Sequence, residues 1–270
     1  MLDDITPVVL TYNESANIGR SLEQLTWARR VVVVDSGSTD DTRDICRRHP
    51  NVTLFSHEFS SHAEQWNWAL EHTHLESDWV MALDADYILT PEFVDELRNL
   101  DTSGMREAGF FVTFRYCVLG RPLRQSLYPA VIALYRRNCA TYRQDGHTQR
   151  LVLTGLAGHL RAPIMHDDRK PLSSWLAAQD RYAQLECAHL TSAHRGALSL
   201  QDKLRTMIVV TPFLVPLYCL FVRGLVLDGL PGWLYAFQRG IAEAILAIKL
   251  IERRIGYDRR DRHSERRDAG

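Results

Sequence analysis

The sequence predicts an α/β fold with a mainly parallel sheet and crossover helices, and three observations carry that prediction. Strand and helix signals alternate through the first hundred residues. The runs Arg30 to Val34 and Trp79 to Leu83 are almost wholly apolar, as strands buried on both faces are. Each early run also stops at polar residues, which places those residues at the carboxyl edge of the sheet, where open α/β sheets hold ligands.

Taken in order, Thr6 to Leu10 reads as the first strand and Asn17 to Leu25 as a helix. Arg30 to Val34 is the second strand, closed by Asp35; a turn rich in N-cap residues, Ser36 to Thr42, then opens a helix reaching Arg48. Val52 to Ser56 is the third strand. The spacing of Ala63, Trp66, Ala69 and Leu70 predicts a helix over His62 to Thr73, and Trp79 to Leu83 is the fourth strand. Thr90-Pro91-Glu92 is a cap, a proline at N1 and an acidic first turn for a helix from Pro91 to Leu100. Shorter strands follow at Phe110 to Tyr116, Val131 to Tyr135, Arg150 to Leu153 and Leu160 to Ile164, and from Pro171 the pattern is helical.

The chain has 270 residues, of which 46% are hydrophobic and 24% charged, enough for one large α/β domain over 1–170 with a helical extension over 171–255 and a basic, disordered tail over 256–270. A net charge of −1 gives no global attraction to nucleic acid. Five scattered cysteines without a CxxC pair fit a reducing cytosol, and an acidic N-terminus lacks a signal-peptide pattern. The expected location is therefore cytoplasmic.

Three neighbouring strand ends present chemistry. Asp84 and Asp86, one residue apart, suit Mg²⁺ or Mn²⁺ bridging a diphosphate, because such ions take few protein carboxylates and fill their shell with phosphate oxygens and water. Thr11-Tyr12-Asn13-Glu14 follows the first strand. Asp35 is placed to accept a uracil imide N–H or bond a ribose hydroxyl. No GxGxxG, Walker lysine loop or Gly-rich cradle is present, which argues against dinucleotide oxidoreductases and P-loop enzymes.

Thr11 to Glu14, Val33-Val34-Asp35-Ser36-Gly37-Ser38-Thr39-Asp40 and Leu83-Asp84-Ala85-Asp86, in that order and spacing, resemble the signature of family 2 glycosyltransferases with the GT-A fold, a match over roughly residues 5 to 170. Trp27-Ala28, Gln65, Asn67 and Leu227-Asp228-Gly229 further resemble the subgroup of lipopolysaccharide-core glucosyltransferases. The resemblance implies a metal-dependent, inverting enzyme that takes a nucleotide-diphospho-sugar donor, UDP-sugar favoured, and acts on a cell-envelope glycan or lipid-linked acceptor. It implies donor contacts from Thr11, Asn13, Glu14, Asp35, Gln65, Asn67 and Asp84. Asp84, Asp86 and a late histidine, His166, would serve the metal, and Arg169 and Lys170 the departing diphosphate. Relatives often place Lys or Arg where this chain has Trp66.

An inverting transfer needs a base for the acceptor hydroxyl. Candidates lie in Gln144-Asp145-Gly146-His147-Thr148-Gln149, with Asp145 first and His147 second; Gln149 stands where the subgroup has an acid and cannot take a proton. Gln179-Asp180-Arg181-Tyr182 is one residue short of the Gln-x-x-Arg-Trp motif of processive relatives and reads as helix surface. Met207 to Val222 is apolar apart from Thr211 but shorter than the ~20 residues a spanning helix needs. With the amphipathic stretch Leu230 to Ile251 and an arginine-rich tail it suits the inner face of a membrane, or a helical lid. Two other classes fit parts of the pattern: a sugar nucleotidyltransferase, which should show a Gly-rich N-terminal loop with a basic residue, and a catalytically silent, membrane-associated scaffold.

Overall fold

Four consecutive valines set the centre of the molecule. Val31 and Val33 are buried in the core on one face of the sheet, and Val32 and Val34 in the core on the other. In the computed structural model, which describes residues 2–100, 104–145, 148–192 and 200–268, two compact units are present, one up to Lys170 and one from Pro171.

The first unit runs β1 (Ile5–Thr11), α1 (Ile18–Glu23), β2 (Val31–Asp35), α2 (Thr42–Arg47), β3 (Val52–Ser56), α3 (His62–His72), β4 (Trp79–Asp84), β5 (Tyr87–Ile88) and α4 (Pro91–Asn99). It continues with β6 (Glu107–Val112), β7 (Phe114–Val118), β8 (Arg121–Pro122), β9 (Val131–Arg136), β10 (Ala140–Asp145), β11 (Thr148–Leu153), β12 (Leu156–His159) and β13 (Ile164–His166). A seven-stranded sheet has the order β12-β6-β9-β4-β1-β2-β3, in which β4, β1, β2 and β3 are mutually parallel and β9 is antiparallel to its neighbours. The chain moves outward from β1 through β2 to β3, then returns to the other side of β1 with β4. That reversal creates a switch point between β1 and β4, the place where such sheets bind ligands. Register aligns Thr11 with Asp35, Leu10 with Asp84 and Asp35 with Ser56, so the strand ends form one edge.

Local chemistry accounts for the helix starts. Ser61 caps α3 by accepting the Glu64 N–H at 3.2 Å, and Thr90 caps α4 by accepting that of Phe93 at 3.2 Å, with Pro91 in the first turn. The strand expected over Phe110 to Tyr116 is two strands broken at Thr113, because the chain changes sheets there: β6 pairs with β9 and β12, whereas β7 pairs with β13 and β8. The strand expected over Leu160 to Ile164 is likewise a crossing between β12 and β13, with the Glu96 carboxylate accepting the Arg161 and Ala162 N–H groups at 2.8–3.0 Å. A second sheet, β5-β13-β7-β8, and the antiparallel hairpin β10-β11 complete the unit.

The second unit holds α5 (Leu172–Ser192), α6 (Leu200–Arg205), α7 (Thr211–Leu217), a π-helical turn over Tyr218–Val222, a 3₁₀ turn over Leu225–Asp228 and α8 (Leu230–Asp268). Asp180 in α5 pairs with Lys249 at 2.7 Å, and Arg205 bridges Glu186 and Glu243 at 3.1 and 3.2 Å. Among the described residues no helix is long and apolar enough to cross a membrane.

Asp167 fastens the end of the first unit to its beginning. Its carboxylate accepts from Arg20 at 2.8 Å, Arg169 at 2.9 Å and the Gly120 N–H at 3.0 Å, and its own N–H donates to the Asp86 carbonyl at 3.0 Å. Burial would raise this carboxyl, but the Arg169 and Arg20 contacts outweigh it and hold it below the usual range. Its stabilisation is therefore whole above the ordinary carboxylate pKa and is lost as pH falls through the depressed native value. Asp167→Ala is expected to lower stability at neutral pH by roughly 2 kcal/mol, read as a shift in the urea midpoint, with the difference from wild type shrinking below about pH 3.

Candidate active site

Two loops form one side of the edge, and Asp35 holds them together. This fully buried carboxylate accepts from the Thr11 hydroxyl at 3.1 Å, the Gly37 and Ser38 N–H groups at 3.1 and 2.9 Å, and the Ser38 hydroxyl at 2.5 Å. Gly37 takes a φ of 85°, a left-handed turn that favours glycine. Asn13, itself at φ 53°, donates its N–H to Ser38 at 2.8 Å and accepts the Thr39 N–H at 2.9 Å. The Glu14 N–H reaches the Thr42 hydroxyl at 2.7 Å. Thr11, Asn13 and Asp35 thus shape the loop, while Tyr12 is its exposed aromatic side chain.

Gln65 and Asn67, two residues apart on α3, reach different partners. Gln65 is buried, donates to the Ser36 hydroxyl at 3.0 Å and lies 2.8 Å from His57 Nδ1, joining the ends of β2 and β3. Asn67 donates to the Tyr142 carbonyl at 2.9 Å and accepts the Tyr142 N–H at 2.8 Å, so its amide acts as a strand edge for β10. Trp66 stacks on the Tyr142 ring with centroids 5.3 Å apart, and the Ala63 N–H meets Gln144 at 3.2 Å. Together α3 and Tyr142 fix the hairpin at whose tip the candidate bases lie. The Asp145 backbone pairs with Thr148; its side chain and the whole of His147 lie outside the described residues.

The switch point collects charge. Burial, then the neighbouring Asp86 charge, push the Asp84 carboxyl up to about 6, with the Tyr87 hydroxyl as its hydrogen-bond partner. Burial pushes Glu14 up to about 7 against the pull of Lys170, whose ammonium lies 2.5 Å away. For Asp86, burial works upward, but the His166 charge and hydrogen bond, helped by Lys170, hold it below the usual range. His166 Nε2 is 3.0 Å from Asp86 Oδ2; burial works to lower its pKa, yet Asp86, Asp84 and Asp168 raise it. Tyr87, Tyr116 and Tyr128 surround the imidazole with ring centroids 4.7–5.3 Å away, and the Tyr87 and Tyr128 hydroxyls bond each other.

Two atoms of this cluster are buried without a partner: Asp86 Oδ1 and His166 Nδ1. A buried oxygen with free lone pairs beside Asp84 and Glu14 is a fit for a hard divalent cation. Among the described residues no three His, Cys, Asp or Glu groups are gathered closely enough to hold a metal unaided. That is compatible with Mg²⁺ or Mn²⁺, which complete their shells with water and phosphate oxygens. Of the late basic pair, Arg169 is bonded to Asp167, whereas Lys170 lies on Glu14 inside the charged cluster. The tyrosine wall had no sequence signal: Tyr116 reaches His166 through the pairing of β7 with β13, and Tyr128 comes from the stretch between β8 and β9.

Residues 7–144 match the profile described as Glycosyl transferase family 2. Across 92% of each chain the protein is 22% identical to the lipopolysaccharide core biosynthesis glycosyltransferase LpsC of Rhizobium meliloti (strain 1021). A segment covering 37% of this chain and 33% of the relative is 32% identical to the uncharacterized glycosyltransferase RP128 of Rickettsia prowazekii (strain Madrid E). Among solved structures, S. aureus TarS 1-349 in complex with UDP-GlcNAc aligns over 93% of this chain and 92% of its own, with 18% identity and a TM-score of 0.47. Glucosyl-3-phosphoglycerate synthase from Mycobacterium tuberculosis, in a complex with Mn²⁺ and UDP, aligns over 70% and 78%, with 18% identity and a TM-score of 0.45. The chain belongs to glycosyl transferase family 2 and is a glycosyltransferase of the GT-A fold.

Proposed function

We propose that the protein is an inverting, metal-dependent glycosyltransferase that moves a sugar from a nucleotide-diphosphate donor, UDP-sugar favoured, to a cell-envelope glycan or lipid-linked acceptor. The observation that carries the donor half is the Asp86–His166 pair, whose orphaned Asp86 Oδ1 lies at the switch point beside Asp84 and Glu14. The acceptor class rests on the likeness to LpsC along nearly the whole chain. The apolar stretch Met207 to Val222, the amphipathic Leu230 to Ile251 and the arginine-rich tail support work at the inner face of a membrane, with the protein attached peripherally from the cytoplasm.

Asp86, Asp84 and His166 would hold Mg²⁺ or Mn²⁺, which when bound neutralises diphosphate charge. The loop of Thr11, Asn13 and Asp35 gives the nucleoside a rigid wall, with Gln65 fixing the neighbouring strand ends. Lys170 carries a positive charge where the leaving group gains negative charge. Asp145, on the hairpin held by Asn67, takes the proton of the acceptor hydroxyl while its oxygen bonds the anomeric carbon and the carbon–oxygen bond to the diphosphate breaks. His147 is the second candidate for that proton.

Asp86→Ala is expected to abolish Mn²⁺-dependent UDP binding in calorimetry and to lower donor turnover by about 100-fold or more, with circular dichroism unchanged. Retention of both would sink the metal reading. Asp145→Asn should cut kcat by roughly 10²–10⁴ while the donor KM stays within a few-fold; if His147→Ala does this instead, the base is His147. The raised pKa of Glu14 means that the folded state binds more protons than the unfolded chain between the ordinary value and about 7. Without metal, wild-type stability should therefore fall relative to Glu14→Gln as pH rises from about 4.5 to 7, read by thermal melts; a flat difference would refute the burial account.

A further inference from the structure

The helical second unit carries an apolar face that its own helices leave uncovered. Phe213, Leu217 and Phe221 recur every four residues along α7 and the π-helical turn, which puts them on one stripe, and each is more than half exposed, at 70%, 52% and 64%. Beyond the turn the apolar exposure continues through Leu227 at 68%, Leu230 at 84% and Phe237 at 55%. The helices that carry these residues cross too closely to admit a side chain: a Cβ on Gly240 of α8 would lie 2.7 Å from the Pro216 ring and 3.2 Å from the Pro212 carbonyl of α7. The α7 stripe and these residues therefore belong to one closely packed helical hairpin.

Charge says what covers this face. No ionisable acid or base lies between Met207 and Phe221 other than Tyr218 and Cys219, and the stretch ends on Arg223. Residues 171–270 hold 14 basic against 10 acidic residues, a net charge of +4, whereas 1–170 hold 18 against 23, a net charge of −5. The excess follows directly on the apolar part of α8, where residues 253–267 contain seven arginines against three acids. Apolar side chains next to a basic run fit an anionic lipid surface. The apolar run is too short to span a bilayer, for which about 20 residues are needed, and no described helix is long and apolar enough to do so.

We infer that the α7–α8 hairpin is a single-leaflet docking wedge for anionic lipid, with Phe213, Leu217 and Phe221 entering the boundary between headgroups and acyl chains. This rests on the membrane attachment proposed above and names the surface that makes it. Flotation of the full-length protein with phosphatidylcholine vesicles, with and without phosphatidylglycerol, tests the inference, and donor hydrolysis measured without lipid reports separately on the glycosyltransferase reading. Wild type should float with the anionic vesicles. Phe213→Ser/Leu217→Ser/Phe221→Ser should partition at least about tenfold less while keeping donor hydrolysis. Arg253→Glu/Arg254→Glu should lose several-fold on anionic vesicles alone. A wild type that hydrolyses donor but floats with neither vesicle overturns the inference, and so does a serine variant that floats like wild type. A wild type that ignores vesicles and is a dimer, made monomeric by the serine substitutions, overturns it in favour of self-association.

Discussion

Carboxylates taken out of water destabilise a fold unless something returns the lost solvation, and this protein brings Glu14, Asp84 and Asp86 into one electrostatic field at the end of a parallel sheet. Lys170 and His166 provide the compensation, and both arrive from far along the chain. The antiparallel pairing of β13 with β5, which sets His166 opposite Tyr87, brings the imidazole to Asp86. Asp167 then ties the following residues to α1 and to the loop at Gly120, so Lys170 is held near Glu14. The second sheet and the stretch 167–170 together make the acid cluster affordable.

The cluster remains short of positive charge even so, since three carboxylates face one ammonium and one imidazole. In the proposed function a divalent cation would supply the positive charge that the cluster lacks. The lowered pKa of Asp86 and the raised pKa values of Asp84 and Glu14 are two outcomes of one competition between burial and nearby cations. At Glu14 burial wins although the Lys170 ammonium lies against it, whereas at Asp86 the His166 contact, helped by Lys170, outweighs burial.

The parallel half of the fold was legible because local rules and tertiary demands agree there: the valine run, the proline-capped α4 and the polar strand ends all say the same thing. Thr11, Asp35, Asp84 and Asp86 could be placed on one edge from strand order alone. Long-range pairings were not legible. Nothing local marks Thr113 as the point where the chain leaves one sheet for another, or Asn67 as the partner of a backbone 75 residues later. Arg169 looked like Lys170 in the sequence, but the Asp167 carboxylate two residues before it engages its guanidinium.

The attachment of the hairpin by Asn67 and Tyr142 has a consequence for how specificity can diverge in this scaffold. The sheet edge that carries Thr11, Asp35 and Asp84 is built from strand ends and braced by Asp35 and Asp167, whereas the β10–β11 hairpin is held from its side by the Asn67 amide, the Trp66–Tyr142 ring pair and the Ala63 N–H on Gln144. Changes in length or sequence beyond Gln144 leave those anchors intact. In the proposed reaction, the half that meets the acceptor would therefore be free to drift while the half that holds the donor stays fixed.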